Sequence, residues 1–314
     1  MNKGHDVISN YQKKQDALIE KRQTGHLKMY NSVRVRKFDG SFEAYNKQKV
    51  VSFCLRMGAS RRDAETIADK VEAHLYDEIP TKRILQMASR YLKHYRPEAG
   101  LRRDLRSAIC LLRSKPDWER FVQLLMKKVG YDVEGNRILR GKCVENEIDG
   151  ILRKNSQTIM LEVKHHFDPH TKTSLDVPRQ VWATYIDLME GFKLAYHDVN
   201  FTGALIVCNT KFSDEGKKYA DCQRIGHLSW KNPLERGLEA LIEEEKCYPV
   251  TMLKEVDKET ESALGDNGII MLKQLLDANP EKLSLKTGIR VERIKRLMEN
   301  ARKIILSLRL TRDS

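Results

Sequence analysis

The stretch Gln157–Lys164, QTIMLEVK, limits most strongly how this chain can fold. Ile159, Met160 and Leu161 lead into Val163, the apolar run of a strand buried in a sheet. Glu162 and Lys164 close it. Strand side chains alternate, so these two charges share one face while Leu161 and Val163 share the other. Upstream, in CVENEIDGILRKNSQ, Glu147 and Asp149 share a face by the same rule. With Asn155 and Ser156 as a two-residue hairpin loop, Asp149 falls opposite Glu162 and Glu147 opposite Lys164.

Carboxylates that face one another repel and lose water, so the pattern calls for a compensating charge. A hard divalent cation fits, held by oxygens of both acids with several waters retained. Lys164 alongside can orient an attacking water or neutralise charge in a transition state. This is machinery for phosphodiester hydrolysis.

The rest of the chain divides by pattern into five segments. Residues 1–32 are polar and basic, with a helix expected over YQKKQDALIEKRQ. Residues 33–98 open with VRVRKFDGSFEAY, a strand, an Asp39-Gly40 turn and a second strand. Three amphipathic helices follow, with Ser60 and Thr81 placed to cap two of them. Residues 99–116 contain a basic connecting helix over 101–113, closed at Pro116. Residues 117–250 alternate helix and strand, the mark of a mixed α/β sheet, and residues 251–314 are helical. The expected fold is therefore multidomain α/β.

Asp149…Glu162-Val163-Lys164, with the helix WERFVQLL before it and TGALIVCNTKFSDEGKKYA after it, resembles the PD-(D/E)XK nucleases, in particular their Mrr-like restriction branch. Across 117–250 the resemblance implies Mg2+-dependent (or Mn2+-dependent) DNA cleavage, with Asp149 and Glu162 as metal ligands and Lys164 as the catalytic lysine. Glu119 matches a helix glutamate that often completes such sites, and Gln180 matches an active-site glutamine. Ile148 stands where the motif's name has proline. His165 reads as a surface histidine, whereas His166 matches a polar position after the family's lysine.

Residues 33–98 resemble the ATP-cone, a small α+β regulatory module that binds ATP or dATP. Lys37, Glu43, Lys49 and Thr81 match its nucleotide contacts, and Phe38 stands where a second basic residue is common. A purely structural remnant, or basic residues that touch DNA, is the alternative. NPEKLSLKTGIRVERIKRLMENARKII resembles a helix-hairpin-helix, in which Gly288 lets backbone N–H groups approach a phosphate and Lys286, Arg290 and Arg293 add charge. A packing or dimerisation bundle is the alternative there.

Charge points to the same partner. The net charge of +13 is concentrated at the ends: residues 1–37 hold nine Lys or Arg against three acids, and residues 281–314 hold ten against four. Basic ends suit a polyanion such as DNA. No run approaches a membrane span and no secretory h-region is visible. The six cysteines form no CxxC pair, so a reduced cytoplasmic setting is expected. The reading is a nucleotide-sensing DNA endonuclease, a homodimer or larger homo-oligomer, since a double-strand break needs two such sites. A nucleotide-responsive DNA-binding regulator with an inactive nuclease fold and an RNA nuclease remain as alternatives.

Overall fold

The computed structural model describes residues 33–310, which fall into two units, one of residues 33–100 with 306–310 and one of Leu101–Ile305. The basic segment 1–32 and its expected helix lie outside the described residues.

In the first unit, β1 (Arg34–Arg36) pairs antiparallel with β2 (Phe42–Ala44) and parallel with β3 (Ile79–Pro80). The Asp39-Gly40 turn forms as expected. Gly40 takes φ +81, a left-handed conformation that a Cβ disfavours, and its N–H donates to the Lys37 carbonyl at 3.1 Å. Helices α1 (Lys47–Arg56), α2 (Arg61–Glu72) and α3 (Thr81–Tyr95) bury Val50, Ile67, Ala88 and Leu92 against Val35 and Ile79. Asn46 and Ser60 cap α1 and α2 through their side chains. Thr81 does not cap α3. Pro80 occupies that position, and the Thr81 hydroxyl instead donates to the Arg36 carbonyl at 3.2 Å.

The second unit is built on a five-stranded mixed sheet. Its strands are β4 (Asp132–Glu134), β7 (Gly150–Lys154), β8 (Gln157–Lys164), β10 (Gly203–Cys208) and β12 (Gly226–Leu228), in the order β12-β10-β8-β7-β4. Antiparallel pairing of β4, β7 and β8 gives way to parallel pairing of β8, β10 and β12. The long helix α6 (Asp176–Lys193) buries Val181 and Leu188 against Met160, Ile206 and Phe201. A separate ribbon pairs β5 (Arg137–Arg140) with β6 (Glu145–Ile148), and β9 (Lys172–Thr173) pairs with β11 (Lys211–Phe212).

The expected helix over 101–113 shortens to α4 (Leu105–Cys110), begun by an Asp104 cap. The two arginines before it are structural. Arg102 is buried, and Arg103 donates to the carbonyls of Thr251, Leu253, Lys254 and Val256. That binding draws the segment onto the chain beyond 250. Arg113 adds ion pairs to Asp117 at 2.6 Å and Asp266 at 2.8 Å. The connecting segment and the helices up to residue 305 therefore belong to the same unit as the sheet. After α7 (Asp214–Cys222) and α8 (Leu238–Glu244), these helices are α9 (Lys258–Asp266), α10 (Leu272–Asp277), α11 (Pro280–Thr287) and the part of α12 (Val291–Leu310) that precedes residue 306. Among the described residues no helix is long and apolar enough to cross a membrane.

Candidate active site

The β7–β8 hairpin has the register that its loop predicts. Asn155 and Ser156 both take positive φ (48° and 63°), the geometry of a two-residue loop matched to strand twist, and Gly150 pairs with Leu161. Beyond Gly150 the ladder changes character. Asp149 N donates to the Leu161 carbonyl at 3.2 Å, and its own carboxylate Oδ2 accepts the Val163 N–H at 2.7 Å. A side chain thus takes a hydrogen bond that a continuing strand would have taken with its backbone.

The chain then leaves for the β5–β6 ribbon, which corrects the expectation that Glu147 faces Lys164. Glu147 is mostly exposed and lies 3.3 Å from Lys115 Nζ instead.

Asp149 is buried and Glu119 is 4% exposed. Burial, followed by the charge of Glu162 and then that of Glu119, pushes the Asp149 carboxyl up to about 7; the Val163 N–H and Lys115 pull the other way. Glu119 opens α5 (Glu119–Lys128), so its side chain reaches inward from the first turn. Its Oε2 accepts from Asn136 Nδ2 at 2.8 Å. Asn136 Oδ1 in turn accepts from Gln123 Nε2 at 2.9 Å, and the same Gln123 nitrogen donates to the Asp149 carbonyl at 2.7 Å. On the other side, Lys164 Nζ lies 2.7 Å from Glu162 Oε1.

Lys115, which sequence reasoning passed over, lies among the acids. Its ammonium is 3.0 Å from Glu119 Oε1, 3.3 Å from Glu147 Oε1 and 3.9 Å from Asp149 Oδ1. The only sequence signal for it, and for Gln123, is the i, i+4 spacing from Glu119 in each direction. Among the described residues no three His, Cys, Asp or Glu side chains are gathered tightly enough to hold a metal ion, and the Lys115 ammonium supplies the positive charge. The donors themselves are hard oxygens, the class that suits Mg2+.

Gln180 is exposed on α6 and makes no hydrogen bond to the acids. His165 is not the surface residue expected. It is half-buried between the Ser114 hydroxyl (3.1 Å) and the Ile109 carbonyl (3.2 Å), and burial pushes it down to about 4. His166 meets Thr173 Oγ1 at 3.0 Å.

In the first unit Glu43 gathers both predicted lysines, Lys37 at 2.9 Å and Lys49 at 2.7 Å. Thr81 stays with the Arg36 carbonyl. In the second unit the turn between α11 and α12 has Gly288 at φ +71, where only glycine sits without strain. It borders a groove of about 740 Å³ lined in part by Glu259, Arg290 and Arg296. Lys286 and Arg290 are exposed, but Arg293 is committed to Asp257 at 3.0 Å and to the Glu255 carbonyl.

Fold and cluster together define a mixed α/β protein with a helical C-terminal region and a buried carboxylate pair at a strand break. Residues 248–305 match the family model described as AF1548-like, C-terminal. An uncharacterized protein of Archaeoglobus fulgidus is 32% identical over 181 residues, which cover 58% of this chain and 98% of the relative. A second uncharacterized protein of that organism is 45% identical over 40 residues, or 13% of this chain and 85% of the relative. The crystal structure of a protein of unknown function, AF1548, is similar with a TM-score of 0.52 and 32% identity, covering 60% of this chain and 96% of that one. The chain belongs to the AF1548-like family.

Proposed function

We propose that this protein is a Mg2+-dependent DNA endonuclease of the PD-(D/E)XK, Mrr-like type. One observation carries the reading. The buried Asp149 carboxylate lies within the field of Glu162 and Glu119, and Lys164 is paired to Glu162 at 2.7 Å. Asp149 Oδ1 and Glu162 would hold the ion (Mg2+ or Mn2+), while Asp149 Oδ2 is already committed to the Val163 N–H. A bound divalent cation supplies an acidified water and a clamp on a phosphate oxygen. Lys164 orients the water or stabilises charge that develops on the phosphate. Asn136 and Gln123 fix Glu119 and the Asp149 backbone, so the acids are held before substrate arrives.

The test is incubation of supercoiled plasmid with wild type and Asp149→Ala, in magnesium and in chelator. The expected result is nicking by wild type in magnesium only. Equal nicking by both proteins overturns the assignment.

The first unit is read as an ATP- or dATP-sensing cone. Its support is the meeting of Lys37 and Lys49 on one carboxylate, two ammoniums that a triphosphate would take over from Glu43. Lys37→Ala combined with Lys49→Ala is expected to weaken ATP binding by about a hundredfold in equilibrium dialysis, since charged hydrogen bonds contribute about 1.5–3 kcal/mol each. Unchanged binding by the double variant, or none by wild type, defeats the cone reading. The α11–α12 turn is read as a sequence-independent DNA contact through Lys286, Arg290 and the Gly288 backbone, with Arg293 serving to hold the turn.

A further inference from the structure

Among the described residues a second group of charges meets a carboxylate at one member alone. β9 and β11 form a parallel two-residue ribbon in which Lys172 lies directly opposite Lys211. Thr173 and Phe212, next along each strand, are fully buried, so the alternation of the strands turns both lysines outward, and both are exposed. Like charges directly opposite one another on a sheet are destabilising. Arg106 lies close by, donating to the Pro169 carbonyl while its buried Nε finds no partner among the described residues. Burial and then the charges of Arg106, Lys231, Lys172 and Lys217 hold the Lys211 ammonium below its ordinary range.

Carboxylates do not relieve this crowding. Among the described residues Lys172, Lys211 and Lys217 have no ion-pair partner, and Lys231 reaches Glu239 only at 4.0 Å. In the first unit, by contrast, Lys37, Lys47 and Lys49 each meet an acid.

The patch is tied to the candidate active site by chain connectivity. β10 ends at Cys208, whose partner in β8 is Lys164, and β11 begins three residues later. His166 and Asn209 clasp the two strand exits together, with the His166 N–H donating to Asn209 Oδ1 at 2.8 Å and Asn209 Nδ2 donating to the His166 carbonyl at 2.7 Å. The lysines therefore stand at the carboxyl end of the parallel strands, the end that carries Glu162 and Lys164.

We propose that Lys172, Lys211, Lys217 and Lys231, with Arg106, form the seat for a phosphodiester backbone that leads a nucleic acid into the Asp149–Glu162 cluster. This rests on the nuclease reading for what happens at that cluster. The seat itself needs only a polyanion of regular spacing. Phosphates meet cations whose mutual repulsion is otherwise unrelieved, and each contact releases a condensed counterion.

The experiment measures binding of a short fluorescein-labelled duplex DNA to the full chain in EDTA, by anisotropy across a salt series. The proteins are wild type, Asp149→Ala, and the combined Lys172→Ala, Lys211→Ala, Lys217→Ala variant. The triple variant is expected to bind at least about tenfold more weakly, with a salt slope shallower by about 2–3, while Asp149→Ala keeps the wild-type slope. Its melting temperature is expected to match or exceed that of wild type, because the lost groups only repel one another. Wild-type affinity and slope in the triple variant overturn the seat, and leave the nuclease reading standing if plasmid cleavage still depends on Asp149. Lost binding in the triple variant with no cleavage by any protein supports the seat and overturns hydrolysis instead.

Discussion

Asp149→Asn is expected to do two things at once: abolish magnesium-dependent cleavage and raise the melting temperature of the chelated protein at pH 8. The first follows from the proposed hydrolysis, in which this charged oxygen would hold the ion, and is a loss of at least about 10²–10³-fold in rate. The second follows from linkage. The folded-state carboxyl is pushed up to about 7 by burial and by the neighbouring charges of Glu162 and Glu119. In the unfolded chain it ionises near pH 3.9. Between those values the folded state holds a proton that the unfolded state has released. Stability therefore falls as pH rises from about 4 to about 7, and the loss is complete above that window.

The size is on the order of 4 kcal/mol, which for a domain of this size corresponds to roughly 8–16 °C. An amide cannot ionise, yet its oxygen can still accept the Val163 N–H, so the variant escapes the cost without losing the bond. Melting curves in EDTA at pH 4 and pH 8 check this. The gain should be present at pH 8 and nearly absent at pH 4. A variant less stable than wild type at both values would show that the acids are held apart, and would remove the reason for a cation between them.

How much of this was legible in the residues depended on the range of the interaction. The β7–β8 register was readable because parity and the loop residues act locally: Asn155 and Ser156 accept positive φ, and the alternation of Leu161, Glu162, Val163 and Lys164 sorts the faces. The placement of Asp149 opposite Glu162 follows from that register. What happened one residue further did not. Nothing in CVENEIDG shows that Asp149 will spend its carboxylate on the Val163 N–H and send Glu147 into another ribbon. Lys115 was missed because it precedes its helix, in a turn without periodicity, and meets Glu147 and Asp149 only through tertiary packing. The run at 101–113 reads as one basic helix, yet Arg103 is consumed by carbonyls some 150 positions away and the helix shortens to Leu105–Cys110. Thr81 looked like a cap because it opens a helical pattern, but Pro80 already sets the extended backbone there. The lysine ribbon was invisible for a simpler reason. Strands of two residues carry no pattern, and only the folded chain brings Lys172 against Lys211.

Trp118→Ala is expected to have the largest effect on stability, a loss of about 3–5 kcal/mol, as for other buried aromatic truncations. The indole is 1% exposed, stacks on Phe121 at 5.5 Å between centroids and donates Nε1–H to the Lys164 carbonyl at 3.2 Å. It is thus both core and anchor, fixing the end of the strand whose side chains face Asp149. Trp118→Phe separates these roles. It keeps most of the apolar contact and loses the donor, so it should melt within a few degrees of wild type while cleavage falls through misplacement of Lys164. His165 supplies an independent readout. Its ring lies 5.8 Å from the indole and titrates near 4 because it is buried. Removing the indole lets water reach the imidazole, so its NMR-detected pKa should climb toward 6.5 in the alanine variant, under conditions where the variant remains folded, and stay low in the phenylalanine variant. A His165 that titrates normally in wild type would mean that this end of β8 is open to solvent. Lys164 would then lack the packed support that its assigned role requires.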